Sequence, residues 1–268
     1  MTETPDTELR ASFPDNCGDD SLCFLSGQLQ VYALVPAAGQ GSRMGSSSNK
    51  PFLNLAGVPA IVRTLRALCS CSCLAGIIVM ARLEEVEIMK SLLALEFADM
   101  HIVVKAGGAT RQESVHKGLR YLRNQLKDGN ADPLVAIHDG ARCLITREVI
   151  CRTLRHAAAI APCAAAVPVK DTIKAADRIG RVERTLDRSC LYAVQTPQVA
   201  QLSLYLSAFD QAEQSGFLAT DDLSVLEAAN IEVDLVPGSE QNIKLTTPAD
   251  LIIAQAWLQA EAKENPPG

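Results

Sequence analysis

ALVPAAGQGSRMGSSSNKPFL, residues 33–53, passes from an apolar run into glycines and small side chains and closes on a lysine followed by a proline. An apolar run that stops at a glycine loop reads as a strand delivering its carboxyl end to a ligand, the position at which open parallel sheets bind. Gly39, Gly41 and Gly45 spell GxGxxxG, which overlaps the dinucleotide fingerprint. That fingerprint also requires a helix straight after the glycines and an acidic residue ending the second strand. Here Ser46-Ser47-Ser48-Asn49 opposes an immediate helix, the second strand ends in Met80-Ala81-Arg82, and no GxxxxGK[ST] occurs in the loop. What remains is a small-residue loop carrying Arg43 and Lys50. Backbone N–H groups uncovered by bulky side chains, with a guanidinium and an ammonium beside them, suit a triphosphate. A solvated surface charge is the alternative reading of each cation.

From Gln30 onward, short apolar or β-branched runs alternate with longer helical periods, which predicts an α/β fold. It is expected to be a single, Rossmann-like domain over 30–262, a mostly parallel sheet with helices on both faces. The predicted strands are Val31–Pro36, Gly76–Met80, His101–Val104, Leu134–His138, Ala164–Val169 and Glu232–Val236. The predicted helices are Val58–Leu68, Glu84–Leu95, Thr110–Leu126, Thr146–Ala159, Gln201–Glu213, Leu223–Ala229 and Pro248–Ala262. Thr110-Arg111-Gln112-Glu113 spells a capping box, and Thr247 before Pro248 places an N-cap ahead of a proline at the first helical position. Asp171–Asp187 breaks the rhythm: charged and alternating, with a turn near Asp177–Gly180, it predicts a β-hairpin arm over about 170–190. A lone hairpin is marginal, so the arm either packs on another surface or is a solvated excursion.

Composition narrows the function. A net charge of −6 and a pI near 5.3 over 268 residues oppose a general nucleic-acid surface. The apolar runs are too short, or too interrupted by Pro162 and Pro168, to span a bilayer. Residues 1–29 are acidic, show no period and lack the basic start and apolar core of a signal peptide, so a disordered extension is expected there and a flexible tail over 263–268. Nine cysteines with no export signal fit reduced thiols in a cytoplasm. Cys69, Cys71 and Cys73 alternate without CxxC spacing and with no histidine nearby, which favours buried or incidental thiols over a metal site. A Ser–His–Asp reading of His138-Asp139 fails for want of a GxSxG elbow and because neighbours on a strand point oppositely. His138, like His101, His116 and His156, is read as structural.

VPAAGQGSRMG…KPFL resembles the start of the nucleotidyltransferases of sugar and polyol phosphates. Further motifs follow in that order: GGATRQESV (Gly107–Val115), IHDGARC (Ile137–Cys143), PVKDTIK (Pro168–Lys174), TLDRSCLYAVQTPQ (Thr185–Gln198), TDDLSVLE (Thr220–Glu227) and NIKLTTPADL (Asn242–Leu251). Together they resemble the 2-C-methyl-D-erythritol 4-phosphate cytidylyltransferase family. The resemblance implies CMP transfer from CTP to that polyol phosphate, with release of pyrophosphate, in the non-mevalonate isoprenoid precursor route. It also implies magnesium or another divalent cation and a homodimer joined through the arm.

By the same resemblance Ala37, Ala38, Gly39, Gly41, Gly107, Gly108, Ser114 and Asp139 lie along the nucleotide, with Gly107, Gly108 and Ser114 at the base. Arg43 and Lys50 stabilise the transition-state charge. Thr172 and Arg188 reach the partner's site from the arm, while Thr196 and Lys244 approach the same polyol phosphate from the main body. Arg43, Lys50, Arg188 and Lys244 form the catalytic set. Asp139 lies between the two substrates as a possible metal ligand, the metal site being otherwise unassigned. Arg142 can pair with Asp139 or with the substrate, and Arg188 can instead close a salt bridge with Asp187 or Asp171. The chain departs from the family at Gly140, where alanine is usual, at Cys143, where proline is usual, and at Ala109 or Gln241, where an acidic residue is frequent. Two rival readings stand: a ribitol 5-phosphate cytidylyltransferase and a non-catalytic nucleotide-binding protein.

Overall fold

The computed structural model describes residues 30–39, 50–98, 100–126 and 132–264. The expected extension 1–29 therefore lies outside the described residues. In chain order the strands and helices are β1 (Val31–Pro36), β2 (Asn54–Leu55), β3 (Val58–Pro59), α1 (Ala60–Cys69), β4 (Leu74–Ala81), α2 (Val86–Glu96), β5 (Ile102–Ala106), α3 (Arg111–Gln125), β6 (Leu134–Ile137) and α4 (Arg147–Ala159). They continue with β7 (Cys163–Pro168), β8 (Lys174–Ala176), β9 (Val182–Thr185), β10 (Tyr192–Gln201), α5 (Leu202–Ser215), α6 (Asp222–Ala228), β11 (Asp234–Pro237) and α7 (Pro248–Glu264). α7 thus runs two residues into the stretch 263–268 expected as a tail.

The main sheet has seven strands in the order β11-β7-β10-β6-β1-β4-β5. Every pairing is parallel except those of β10, which runs against both β6 and β7. Alternation along the strands divides the core in two. Ala33, Val35, Ile77, Val79 and Ala136 face α1, α2 and α4. Leu34, Ile78, Met80, Val135 and Ile137 face α3, α5 and α6. α3 lies close to the sheet because residue 118 is glycine: a Cβ there would fall 2.4 Å from Leu34 Cδ1. A third, smaller cluster of Leu55, Ala60, Cys143, Leu245 and Ala254 anchors α7.

Two expectations are corrected. Val58–Leu68 is not one helix: Val58 and Pro59 pair with Leu55 and Asn54 in a two-stranded turn, and the helix begins at Ala60. β10, absent from the predicted strands, fills the place between β6 and β7. The arm does form as a separate two-stranded sheet of β8 and β9. Gly180 closes its turn at φ +85°, and Asp177 Oδ1 accepts from the N–H groups of Ile179 and Arg181.

Candidate active site

The carboxyl ends of β1, β4, β5 and β6 open on a crevice of about 980 Å³. β1 supplies Ala37, Ala38 and Gly39, β5 supplies Gly107 and Gly108, and β6 supplies Asp139, while Lys244 arrives from the segment before α7. β1 is the point from which the chain leaves to β4 on one side and β6 on the other, so the crevice sits where strand order reverses.

Its glycine wall is built by the start of α3. Thr110 Oγ1 accepts from Glu113 N–H at 3.0 Å, giving the cap that the sequence predicts. The return half of the box differs, because the Glu113 carboxylate accepts from Ala109 N–H at 2.7 Å and so ties down the loop one residue earlier. Ser114, buried one turn on, donates to Thr110 O at 2.8 Å and accepts from Gly108 N–H at 2.9 Å. Its hydroxyl hydrogen is committed to the loop, and one oxygen lone pair remains for a ligand. Side chains at 107 and 108 would collide with this brace: a Cβ on Gly108 would lie 2.4 Å from Glu113 Cδ, and one on Gly107 would lie 2.7 Å from Ser114 Oγ.

The opposite wall is an ion network around Asp139. Arg111 Nε donates to Asp139 Oδ1 at 2.9 Å, and its two terminal nitrogens grip the Asp222 carboxylate at 2.8 and 2.7 Å. Lys244 Nζ lies 2.7 Å from Asp139 Oδ2. Burial alone would raise the Asp139 carboxyl, but the Arg111 and Lys244 charges overcome it and hold Asp139 well below the usual carboxylate range. Asp139 is therefore an anion held between two cations that both line the crevice, Arg111 on one carboxylate oxygen and Lys244 on the other.

Under Asp139 runs a neutral relay. Its N–H donates to Thr196 Oγ1 at 3.1 Å, Thr196 Oγ1 lies 3.0 Å from His138 Nδ1, and His138 Nε2 lies 3.1 Å from Arg142 O. A carbonyl only accepts, so Nε2 carries the hydrogen and Nδ1 receives the Thr196 hydroxyl proton. Full burial lowers the His138 pKa to about 4, in keeping with that neutral tautomer. β10 supplies Thr196 and its neighbours. Gln195 bonds Ser239 and Asn242, and the Gln198 side-chain Oε1 accepts from Asp222 and Leu223 N–H at 2.8 and 3.0 Å. Asn242 in turn donates to Thr196 O at 2.8 Å. The Thr196-Pro197 peptide is cis.

Ala37, Ala38, Gly39, Gly107, Gly108, Ser114, Asp139 and Lys244 thus converge on one crevice. Thr196 and Arg142 lie behind its wall, with Arg142 Nη1 donating to Asn242 O at 2.6 Å and its Nε 3.9 Å from Asp139 Oδ2. Thr172 and Arg188 stand exposed on the arm and at its base. No ion pair of Arg188 with Asp187 or Asp171 forms among the described residues; Arg188 Nη1 donates to Lys170 O at 2.7 Å instead. Gly41, Arg43 and the Lys50 side chain lie outside the described residues. Sequence reasoning does not single out Arg111 or Asp222, although each stands inside a quoted motif. Their signal is a charge at the start of a helix, which sequence alone reads as solvated.

For a divalent cation the crevice offers the Asp139 carboxylate, whose oxygens each keep a lone pair beyond their bond to Arg111 or Lys244. That fits magnesium, which takes one or two carboxylates and completes its shell from phosphates and water. His116, Asp210 and Glu213 also converge, away from the crevice lining. Arg120 Nη2 already lies 2.8 Å from both carboxylates, making that group an ion-pair cluster.

Residues 31–260 match the family profile of 2-C-methyl-D-erythritol 4-phosphate cytidylyltransferase. A protein of that name from Bacillus velezensis is 43% identical over 235 residues, covering 87% of this chain and 98% of its own. One from Microcystis aeruginosa is 42% identical over 228 residues, covering 84% and 97%. Among solved structures, the 4-diphosphocytidyl-2C-methyl-D-erythritol synthase of Anaerococcus prevotii superposes with a TM-score of 0.74 at 30% identity, covering 86% of this chain and 99% of its own. The 2-C-methyl-D-erythritol 4-phosphate cytidylyltransferase of Thermus thermophilus gives 0.69 at 29% identity, covering 86% and 100%.

Proposed function

Because this chain belongs to the 2-C-methyl-D-erythritol 4-phosphate cytidylyltransferase family, we infer that its crevice binds CTP and transfers the cytidylyl group to 2-C-methyl-D-erythritol 4-phosphate, a step of isoprenoid precursor synthesis. A phosphate oxygen of the polyol attacks the α-phosphorus of CTP, the bond to the bridging oxygen breaks, and pyrophosphate leaves with that electron pair. Such chemistry requires alignment and charge stabilisation and no covalent nucleophile.

The observation that carries the reading is the pairing of a braced glycine wall with the Lys244–Asp139–Arg111 network across one crevice. The glycine wall leaves room for a base and ribose beside Gly107, Gly108 and Ser114. Lys244, held by Asp139 before any substrate arrives, meets the attacking phosphate, and Arg188 joins it from the arm of a second subunit with Thr172. Thr196 and Arg142 position Asp139 from behind. Arg43 and Lys50, on the loop after Gly39, offset charge on the triphosphate. Asp139 would hold a divalent cation here, and that ion, when bound, would supply neutralisation of phosphate charge. The homodimer is supported by an arm that exposes Ile179 and Val182 to 79% and 56%. A cytoplasmic setting suits a CTP-dependent reaction and nine cysteines. No helix of the described residues is long and apolar enough to cross a membrane.

The test is pyrophosphate release from CTP and magnesium, with methylerythritol 4-phosphate and ribitol 5-phosphate in parallel and Lys50→Ala as the blank. Turnover with the first substrate alone is expected. Turnover with ribitol 5-phosphate alone would move the protein to polyol-nucleotide synthesis, and silence with both from folded protein would reject catalysis.

A further inference from the structure

In the core between the sheet, α1 and α4 lies a group of thiols that the transfer reaction does not use. Cys71 sits in the turn between α1 and β4, held by its N–H to Leu68 O at 3.0 Å and by Leu74 N–H to its own carbonyl at 3.2 Å. Cys151 lies in the first turns of α4, and both are buried in the core cluster that joins α1, α4 and the sheet. Their sulfurs are 3.7 Å apart, a thiol–thiol hydrogen bond between residues 80 apart in the chain. Cys69 and Cys73 are half-buried at the edge of the same cluster, so it ends near the surface. None of these thiols belongs to a converging set of metal ligands among the described residues.

We propose that Cys71 and Cys151 form a dithiol–disulfide redox site that staples the end of α1 to α4 when the chain meets a hydroperoxide. The two sulfurs must close from 3.7 Å to a bond length of about 2.05 Å. Arg147 and Arg155 stand one turn before and after Cys151 on α4. The hydrogen bond between the two sulfurs, in which either thiol can donate, with these two charges behind it and burial opposing, draws the Cys151 thiol downward, while the same bond and burial drive Cys71 upward. Cys151, placed between Arg147 and Arg155 on α4, is the thiol that attacks in this proposal. Its sulfur takes the distal peroxide oxygen, the O–O bond breaks, and the departing hydroxide or alkoxide takes a proton, leaving Cys151 as the sulfenic acid. The Cys71 sulfur then attacks Cys151, the S–O bond breaks, and hydroxide leaves with the Cys71 proton as water. Two thiols are oxidised by two electrons and one hydroperoxide is reduced. A thiol reductant reverses the bond by exchange.

The experiment uses the full chain and reads no enzymatic activity. Protein treated with hydrogen peroxide is denatured, blocked with N-ethylmaleimide, digested without reductant and mapped by mass spectrometry. The expected result is a dominant linked peptide joining Cys71 to Cys151, two hydrogens lighter than the separate peptides. It should disappear with dithiothreitol and be missing from Cys71→Ala and Cys151→Ala. Oxidised wild-type protein should also unfold at a higher temperature than reduced protein, a difference absent from both variants, because the crosslink closes a long loop. The proposal is overturned if Cys71 and Cys151 both label with maleimide while exposed Cys190 oxidises, or if the linkage joins Cys69 or Cys73 instead. The wild-type peptide map decides the matter alone should a variant not fold.

Discussion

At the scale of single residues, the molecule separates charges that stay charged from a histidine that stays neutral. His138 is fully buried between Thr196 and the Arg142 carbonyl, and desolvation lowers its pKa to about 4. In the unfolded chain it titrates near the ordinary value of about 6.5. Between those values the unfolded state binds a proton that the folded state refuses, so stability rises with pH there and is lost as pH falls. The loss from this group amounts to about 3 kcal/mol between pH 6.5 and 4. Urea melts across that window should show the slope in wild type and a shallower one in His138→Gln; equal slopes would show that His138 protonates in place. Asp222 poses the opposite problem. Its carboxylate is 1% exposed and takes both terminal nitrogens of Arg111, so Asp222→Ala leaves a guanidinium that lines the crevice, 30% exposed, with Asp139 as its remaining carboxylate among the described residues. Losing these charge-assisted bonds costs about 2 kcal/mol, less than for a fully buried pair because the guanidinium keeps Asp139 and reaches crevice water. A variant whose unfolding free energy from urea melts falls by less than about 1 kcal/mol would show that Arg111 finds water instead. Lys244→Ala should spare the fold, since its side chain is 41% exposed, and reduce turnover about a hundredfold in the pyrophosphate assay. A variant with near wild-type turnover would remove Lys244 from the catalytic set.

At the scale of elements, the ends of helices do most to organise the crevice. Asp221 caps α6 through Ser224 N–H at 2.9 Å, and Ser224 returns a bond to Asp221 N–H, a box absent from the sequence reading. Since α6 carries Asp222 in its first turn, Asp221→Ala should cost about 1 kcal/mol and loosen Arg111 with it. Thermal melts should place it well above Asp222→Ala, and the reverse order would separate the cap from the network. Gly108→Ala drives a Cβ into Glu113, so it should raise the KM for CTP with little change in global stability; an unchanged KM would exclude this loop from the nucleotide. The same elements explain what is readable in advance. β1, β4, β6 and β7 are runs of apolar residues buried on both faces, and continuous hydrophobicity announces such strands. β10 is buried from Gln195 to Ala200, yet it carries Gln195, Thr196 and Gln198 where a strand reading expects apolar residues, with Pro197 among them. Those polar groups are satisfied by α6, Asn242 and Asp139, partners that no local window contains. Arg111 and Asp222 are illegible for the same reason. The crevice glycines, Asp139 and Lys244 are legible through the family motifs, while loop chemistry alone reaches only a phosphate cradle.

At the scale of the whole molecule, the body and the arm differ in what they need. The body has a core on each face of its sheet and a third, smaller cluster that anchors α7, and closes on itself. The arm is a two-stranded ribbon whose residues from Lys174 to Thr185 are almost all exposed, and its cross-strand bonds are internal. A ribbon of that kind is marginal in water without a surface to lie on. Ile179 and Val182 expose apolar area that a second copy of the chain would cover. Replacing Lys174–Thr185 by a short Gly-Ser turn should therefore leave the stability of the body within about 1 kcal/mol, because no core contact is removed. It should also convert a dimer into a monomer by light scattering and abolish turnover with methylerythritol 4-phosphate, while CTP binding, carried by the body, persists. Two outcomes would count against the arm: a wild-type monomer with full activity, or a deletion variant that turns over normally. If the variant stays dimeric yet inactive, the arm supplies Arg188 and Thr172 to the substrate without holding the subunits together, and the interface must be sought on the exposed side of α7, where Ile252, Ile253 and Trp257 lie.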